Sequence, residues 1–373
     1  MYLAEWALWF VCIKSDSWLR ENLEKYRNPS IPLADPAYED SLNEELARQA
    51  TKRFGRARTR GPVYVCNNTS LEMRCGGMED KRGFITLLTI VFMLLFVGSW
   101  IDIDGRIVWA VVSGSGTVHD RDLYIGDLFM LLIGTSATGV ALWLYFKYAC
   151  RFSRLEMLTS RNLLVRFNRI TRQVYLHRPP SCGGILVLPW EKVCSEEIAG
   201  LRLVLKWSAG SRAGLPFPTA IFVGKQSSRL SDLQSEWEFI RRYMDEGGLQ
   251  AVEKPRISSQ LPLPWPAFTA QFEALGPFLR NSGPFMWMGC LLISPAFVIV
   301  GLSHWASLLL CWRPRWPRVI REAGQPGKPV PAFTTVADYP PNVQAQLLAN
   351  AHRWELRPGR APGNQSRDRA RRG

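Results

Sequence analysis

Three uncharged apolar runs constrain this chain more than any motif: Phe84–Ile101 (FITLLTIVFMLLFVGSWI), Leu128–Phe146 (LFMLLIGTSATGVALWLYF) and Phe285–Trp312 (FMWMGCLLISPAFVIVGLSHWASLLLCW). A hydrocarbon core about 30 Å thick takes about 20 helical residues to cross. The first two runs have that length. They carry no Asp, Glu, Lys or Arg and no polar face, so they predict transmembrane helices rather than surface helices. Trp100 and Trp143 to Tyr145 stand near run ends, as interfacial aromatics do. More than eighty residues precede the first run, unlike a signal peptide.

Charge sets the expected topology. The segment from Ile101 to Asp127 holds Asp102, Asp104, Asp120, Asp122 and Asp127 against Arg106 and Arg121. Lys81 and Arg82 precede the first run, and Lys147, Arg151 and Arg154 follow the second. Cations stay on the cytoplasmic side, so the two runs predict a hairpin with an outer acidic loop. Gly134, Thr135, Thr138 and Gly139 form a small-residue stripe suited to a neighbouring helix of this chain or of another subunit, so an oligomer is open. The third run spans 28 residues, roughly 42 Å as a helix. Arg313, Arg315, Arg318 and Arg321 follow it, and a single crossing would place them outside. A re-entrant hairpin broken at Pro295 is therefore expected.

Between the second and third runs the texture becomes strand-like. Leu163–Phe167 and Gln173–His177 flank the polar turn Asn168–Arg172, and Gly184–Leu188 follows. Leu201, Leu203, Leu205 and Trp207 alternate with polar and smaller residues, and Thr219–Val223 is a further strand. A helix closes the region: Ser231 and Gln234 fit a capping box, and Leu233, Trp237, Ile240 and Met244 share one face. Before the first run, Tyr2–Ile13 is aromatic-rich and suits a membrane surface or the strand domain. A helical stretch is expected around Ser41 to Arg53, and Lys52, Arg53, Arg56, Arg58 and Arg60 cluster.

The predicted order is thus a partly helical cytoplasmic region (1–82), a transmembrane hairpin (83–148; spans 84–101 and 128–146, outer loop 102–127), a β-rich cytoplasmic domain (149–250), a linker and helix (251–284), a third membrane segment (285–312) and a basic, partly disordered tail (313–373). The net charge of +14 is that of a chain facing anionic lipid; no aromatic-interleaved basic motif points to nucleic acid. Arg166, Arg169, Arg172 and Arg178 are candidate contacts for a lipid headgroup or protein partner, unless they serve as strand-edge charges that block pairing. Arg313, Arg315, Trp316 and Arg318 are further candidates.

Catalytic signatures are missing. No nucleophile elbow, zinc-protease, phosphate-loop, kinase or haem motif occurs, and the eight cysteines have no metal-ligand spacing. No cofactor, metal site or catalytic residue is expected. Asp102-Ile-Asp-Gly105 reads as a turn, and His119 with Asp120 and Asp122 as a solvated loop. With no charge inside the runs, transport is disfavoured.

Several phrases carry a resemblance. RFNRITRQVYLHR and VLPWEKV resemble membrane-tethered bacterial pleckstrin-homology-like domains, whose antiparallel strands followed by one helix match the order read above. With NNTSLEMR…DKRGF and PRWPRVIR, they resemble an uncharacterised bacterial multi-pass membrane-protein family often encoded near type VI secretion genes, over roughly residues 60 to 325. The resemblance implies an α+β inner (plasma) membrane protein whose bulk is cytoplasmic and whose β-barrel-like domain is closed by a C-terminal helix. It implies a non-enzymatic immunity or accessory factor that engages lipid or a protein partner. The alternative is a membrane-active effector or small channel.

Overall fold

The computed structural model describes residues 2–13, 56–78, 81–113, 121–197, 202–207, 217, 219–227, 229–272 and 283–350. The helix expected around Ser41 to Arg53, the cations Lys52 and Arg53, His119, Asp120 and the tail beyond residue 350 lie outside these residues. The chain forms two compact units: a helical one from 78–161 and 261–312, and a sheet unit from 2–77, 162–260 and 313–373.

In the helical unit, α2 (Phe84–Met93) runs through a π-helical turn (Leu94–Gly98) into α3 (Ser99–Ser113). The antiparallel partner is α4 (Arg121–Leu144), continued through a second π-helical turn (Tyr145–Ala149) into α5 (Cys150–Ser153). The expected outer loop therefore does not begin at residue 102, and Asp102–Gly105 is helix rather than turn. Among the described residues three stretches are long and apolar enough to cross a membrane: Phe84–Trp109, Leu128–Ser153 and Trp287–Leu309. Their large apolar side chains stand exposed (Leu94 67%, Leu128 66%, Leu292 77%), the surface of a membrane-associated protein.

The third run corrects the expectation of a break. Pro284–Leu309, here α8, is one continuous helix through Pro295. Pro295 has no N–H to give the carbonyl four residues back, that of Leu291. Ser294 Oγ donates to that carbonyl instead, at 2.7 Å, so the helix continues. Beside α8 lies the helix expected within 251–284, Pro264–Phe272 (α7). Trp305 Nε1 donates to Pro262 O (2.9 Å), Phe272 packs on Phe297 (5.5 Å), and Gly301 abuts Phe268, so α7 runs antiparallel to the second half of α8. A Cβ at Gly301 would come within 2.5 Å of the Phe268 ring, which is why this approach needs glycine.

The bases of these helices are tied by a buried polar hub. Glu156 accepts from the backbone N–H groups of Gly83 and Ile85 (3.0 Å for Ile85), capping the start of α2 from a distant part of the chain. Arg82, fully buried, donates to Ser307 Oγ (2.7 Å), Glu156 O (3.2 Å), Cys311 Sγ (3.1 Å) and Arg161 O. Arg161 donates to the last carbonyls of the α8 end, Leu308 O and Cys311 O, both at 3.0 Å.

The sheet unit holds eight antiparallel strands: β1 (Val63–Cys66), β2 (Ser70–Cys75), β3 (Leu163–Asn168), β4 (Gln173–His177), β5 (Leu186–Pro189), β6 (Cys194–Glu196), β7 (Leu203–Trp207) and β8 (Thr219–Val223). Their order is β5-β4-β3-β2-β8-β7-β6, with β1 also on β2. The sheet is therefore not confined to residues 149–250: β2, from the N-terminal region, is its centre. The expected barrel does not close. β5 and β6 are short, and Pro189 with the 3₁₀ turn Trp190–Lys192 carries the chain between them without a ladder, leaving an open sheet. The edge of β5 is covered where Thr334 N donates to Val187 O (3.0 Å) and Val187 N donates to Thr334 Oγ1 (2.8 Å).

One face packs on α6 (Leu230–Arg242). Its Leu233, Trp237 and Ile240, with Met244 just beyond, are all buried as the spacing predicted, and Trp190 stands between Phe167 and Trp237. The N-cap is Arg229 rather than Ser231 and makes no side-chain capping bond; Asp232 and Ser227 bond to each other there (2.7 Å). Glu236 instead reaches out of α6 to hold Thr59 Oγ1 (2.6 Å) and Arg60 N (2.7 Å), and burial pushes its carboxyl up. The opposite face is covered by the segment after α8. Trp316, Ile320 of α9 (Arg318–Glu322) and Ala323 pack on Leu164, Tyr175 and Val187. The aromatic N-terminal stretch forms α1 (Leu3–Ile13) in this unit, where Trp9 stacks on Tyr339 (5.3 Å) just before α10 (Pro341–Asn350).

Candidate functional site

Two clusters stand out, one in each unit. In the sheet unit, β2 and β3 pair Glu72 directly with Arg166 and so put both on the face that the C-terminal segment covers. Glu72 accepts from Trp316 Nε1 (2.8 Å) and Gln260 Nε2 (3.2 Å). Burial pushes its carboxyl above the ordinary value of 4.5, while those two bonds and the charges of Arg166 and Arg313 pull the other way. His177 flanks the cluster: its ring stands edge-on to Trp316 (5.2 Å), and its Nε2 lies 3.2 Å from Arg315 O. A carbonyl can only accept, so Nε2 carries the proton. Burial lowers the His177 pKa.

The eight residues singled out from sequence thus divide. Arg166, Trp316 and Arg313 are brought together around Glu72, which sequence reasoning had passed over. Arg315 and Arg318 are exposed beside them, and Arg318 pairs with Glu322 (2.7 Å). The other three do not share that surface. Arg169 donates to Asn68 O (3.2 Å), and Arg172, at φ +55°, bridges Glu191 (2.8 Å) and Asp245 (2.6 Å). Arg178 is buried near Trp9 and the Gly183 turn, with Nε and one terminal nitrogen lacking a hydrogen-bond partner; burial lowers its pKa. The four sheet arginines therefore do not form one exposed basic face.

Glu72 gives a pH prediction. Because its folded-state pKa is raised, the associated stability is full below the ordinary value of 4.5 and is lost as pH rises through the folded value. Glu72→Gln keeps an oxygen for Trp316 and removes the titration. The stability advantage of wild type over Glu72→Gln should fall as pH rises above about 4.5, by at most about 1.4 kcal/mol per pH unit. Thermal unfolding of both proteins in detergent across that range measures it, and a difference that stays flat would count against the assignment.

The helical unit carries charge within a candidate span. The candidate span Phe84–Trp109 takes in Asp102, Asp104 and Arg106, which corrects the expectation that the spans carry none. Asp104 is 3% exposed and accepts from Thr135 Oγ1 (3.2 Å), which itself accepts from Trp100 Nε1 (3.1 Å). Gly134 makes room: a Cβ there would meet Asp104 Oδ1 at 2.7 Å. Thr135 stands seven residues inside the second apolar run, about 10 Å along the helix from its start at Leu128. On the other face of α3, Asp102 accepts from Arg106 Nε (2.9 Å), and both side chains are exposed. Each such charge costs about 2.5–3.5 kcal/mol at the centre of a membrane helix on insertion scales.

Neither cluster presents an activated nucleophile. Burial pushes the Cys66 and Cys182 thiols up to about 11, so they are poor nucleophiles. Among the described residues no group of three or more His, Cys, Asp or Glu could hold a metal ion. Comparison with protein-family models, curated proteins and solved structures gave no match, so the functional reading rests on these residues.

Proposed function

We propose that this chain is a non-enzymatic, multi-pass protein of a bacterial inner membrane that presents one folded cytoplasmic module to a protein partner at an anionic lipid surface. The observation that supports it is the origin of the sheet unit in three chain segments, 2–77, 162–260 and 313–373, separated by the candidate spans. A sheet cannot be assembled through a bilayer, so all three segments lie on one side. The first two spans then make a hairpin. α8 runs on through Pro295 and ends beside Arg313, Arg315 and Arg318, and α7 lies antiparallel to its second half, so the chain enters this pair on the side where those arginines stand. Cations flank the helix ends on that side, as the positive-inside rule asks: Lys81, Lys147, Arg151, Arg154, Arg313 and Arg315.

Antiparallel strands followed by α6 are the basis for reading the module as pleckstrin-homology-like, and the sequence resemblance to a family encoded near type VI secretion genes is the basis for an immunity or accessory role. Cysteine labelling tests the topology. In full-length protein in intact cells, Ser115→Cys should react with an impermeant maleimide above the background of the unsubstituted chain. Lys254→Cys and Gln325→Cys should react only after permeabilisation. Labelling of Gln325→Cys from outside would overturn the single-sided module.

A second reading has one observation in its favour. Asp102, Asp104 and Arg106 within a candidate span suit a small channel or membrane-active effector. Expression of the chain alone separates the two: an anchor leaves the membrane potential intact, whereas a channel depolarises the cell.

A further inference from the structure

The exposed face of α3 carries a combination that hydrocarbon does not tolerate alone. Gly98, Ile101, Asp102, Gly105, Arg106 and Trp109 line an open groove of about 520 Å³. A Cβ added at Gly98 or Gly105 would meet nothing within 4 Å, so another backbone can approach closely at both. Asp102 lies between the two glycines and Arg106 directly follows the second, opposite charges one helical turn apart, with side chains 61% and 77% exposed. This face looks away from Asp104, which is taken up by Thr135 of α4. Two observations of different kinds thus coincide on one stripe: space for a backbone, and charge that lipid does not solvate.

We propose that this face is the contact between two copies of the chain in the membrane, with Asp102 of one copy pairing with Arg106 of the other. The occupant follows from charge. Copies inserted with the same topology are related by a two-fold axis along the membrane normal, which sets each face against itself. At that symmetry like residues stand at equal heights, so the ion pairs form diagonally: the long Arg106 side chain reaches one turn along to Asp102 of the other copy, and Gly98 and Gly105 let the axes come close. A lipid tail offers neither charge, and an anionic headgroup would answer Arg106 alone. The inference rests on the membrane reading above.

Charge variants in full-length protein test it. In native membranes, Gly105→Cys should cross-link to a dimer with a short bis-maleimide, above the background of the unsubstituted chain. Asp102→Lys leaves the face wholly basic and Arg106→Asp leaves it wholly acidic. Two differently tagged copies of the same variant should co-purify at least tenfold less than wild type. Tagged Asp102→Lys with Arg106→Asp should recover pairing, which no bond within one copy explains. Gly105→Leu, unchanged in charge, should also abolish it. Variants are compared only where alkaline extraction leaves them in the membrane fraction. Failure of the wild-type chain to stay there would overturn the membrane reading; membrane-embedded copies that neither cross-link nor recover on mixing would overturn this contact alone.

Discussion

Replacing Trp316 by alanine is expected to destabilise the sheet unit by about 3–5 kcal/mol, the range for removing a buried tryptophan. Trp316 is 7% exposed, packs edge-on against Tyr175 (6.4 Å) and His177, and donates to Glu72. Alanine removes the packing and leaves a buried carboxyl short of a donor. Trp316→Phe separates the two contributions: it retains most of the packing and loses the bond, for about 1–3 kcal/mol. Protease sensitivity across residues 324–335, followed with thermal unfolding in detergent, is the measurement. Alanine and phenylalanine variants that cut and melt like wild type would show that this segment does not hold the sheet face.

Arg82→Ala should have a comparable effect in the helical unit, about 3–5 kcal/mol. Four acceptors converge on this fully buried guanidinium, and alanine leaves Ser307 Oγ and the carbonyls of Glu156 and Arg161 facing a void. Arg82→Lys should recover little, because an ammonium cannot reproduce the planar fork that reaches four partners. Glu156→Gln is the milder change: one amide oxygen can still accept from Gly83 or Ile85, so about 1–2 kcal/mol is expected. Melting temperatures in detergent rank the three. An order with Glu156→Gln the most damaging would sink the view of Arg82 as the hub.

Much of the fold was legible where local pattern and tertiary use agree. β3, β4, β7 and β8 and the buried face of α6 follow from period-two and three-four spacing. β2 carries the same period-two signal as β7, Leu71, Met73 and Cys75 alternating with Ser70, Glu72 and Arg74, but it stands before the first apolar run, far in sequence from the other strands. The partners of Glu72, Trp316 and Gln260, lie 244 and 188 residues away, and no local signal announces them. The first helix was cut short at Ile101 for the opposite reason: Asp102, Asp104 and Arg106 look like the end of a span until α4 supplies Thr135. The Pro295 break failed on one hydroxyl, Ser294 Oγ, which takes over a freed carbonyl. A signal for α7 was present in LPLPWPAFTAQF, apolar and opened by proline, but it is too short for a spanning test.

The three-segment origin of the sheet also sets the order of events at the ribosome. β1 and β2 emerge first, yet their main partner β3 follows only after the first hairpin has been made, and the tryptophan that covers Glu72 comes only after α8. Until then the central strand has an unpaired edge and an uncovered face, which invites chaperones and proteases. On the proposed topology, a copy whose last helix failed to insert would strand residues 313–335 on the wrong side and leave the sheet unfinished. The module proposed to meet a partner would then be complete only in molecules whose helices had all been threaded, and defective insertions would meet proteases before any partner.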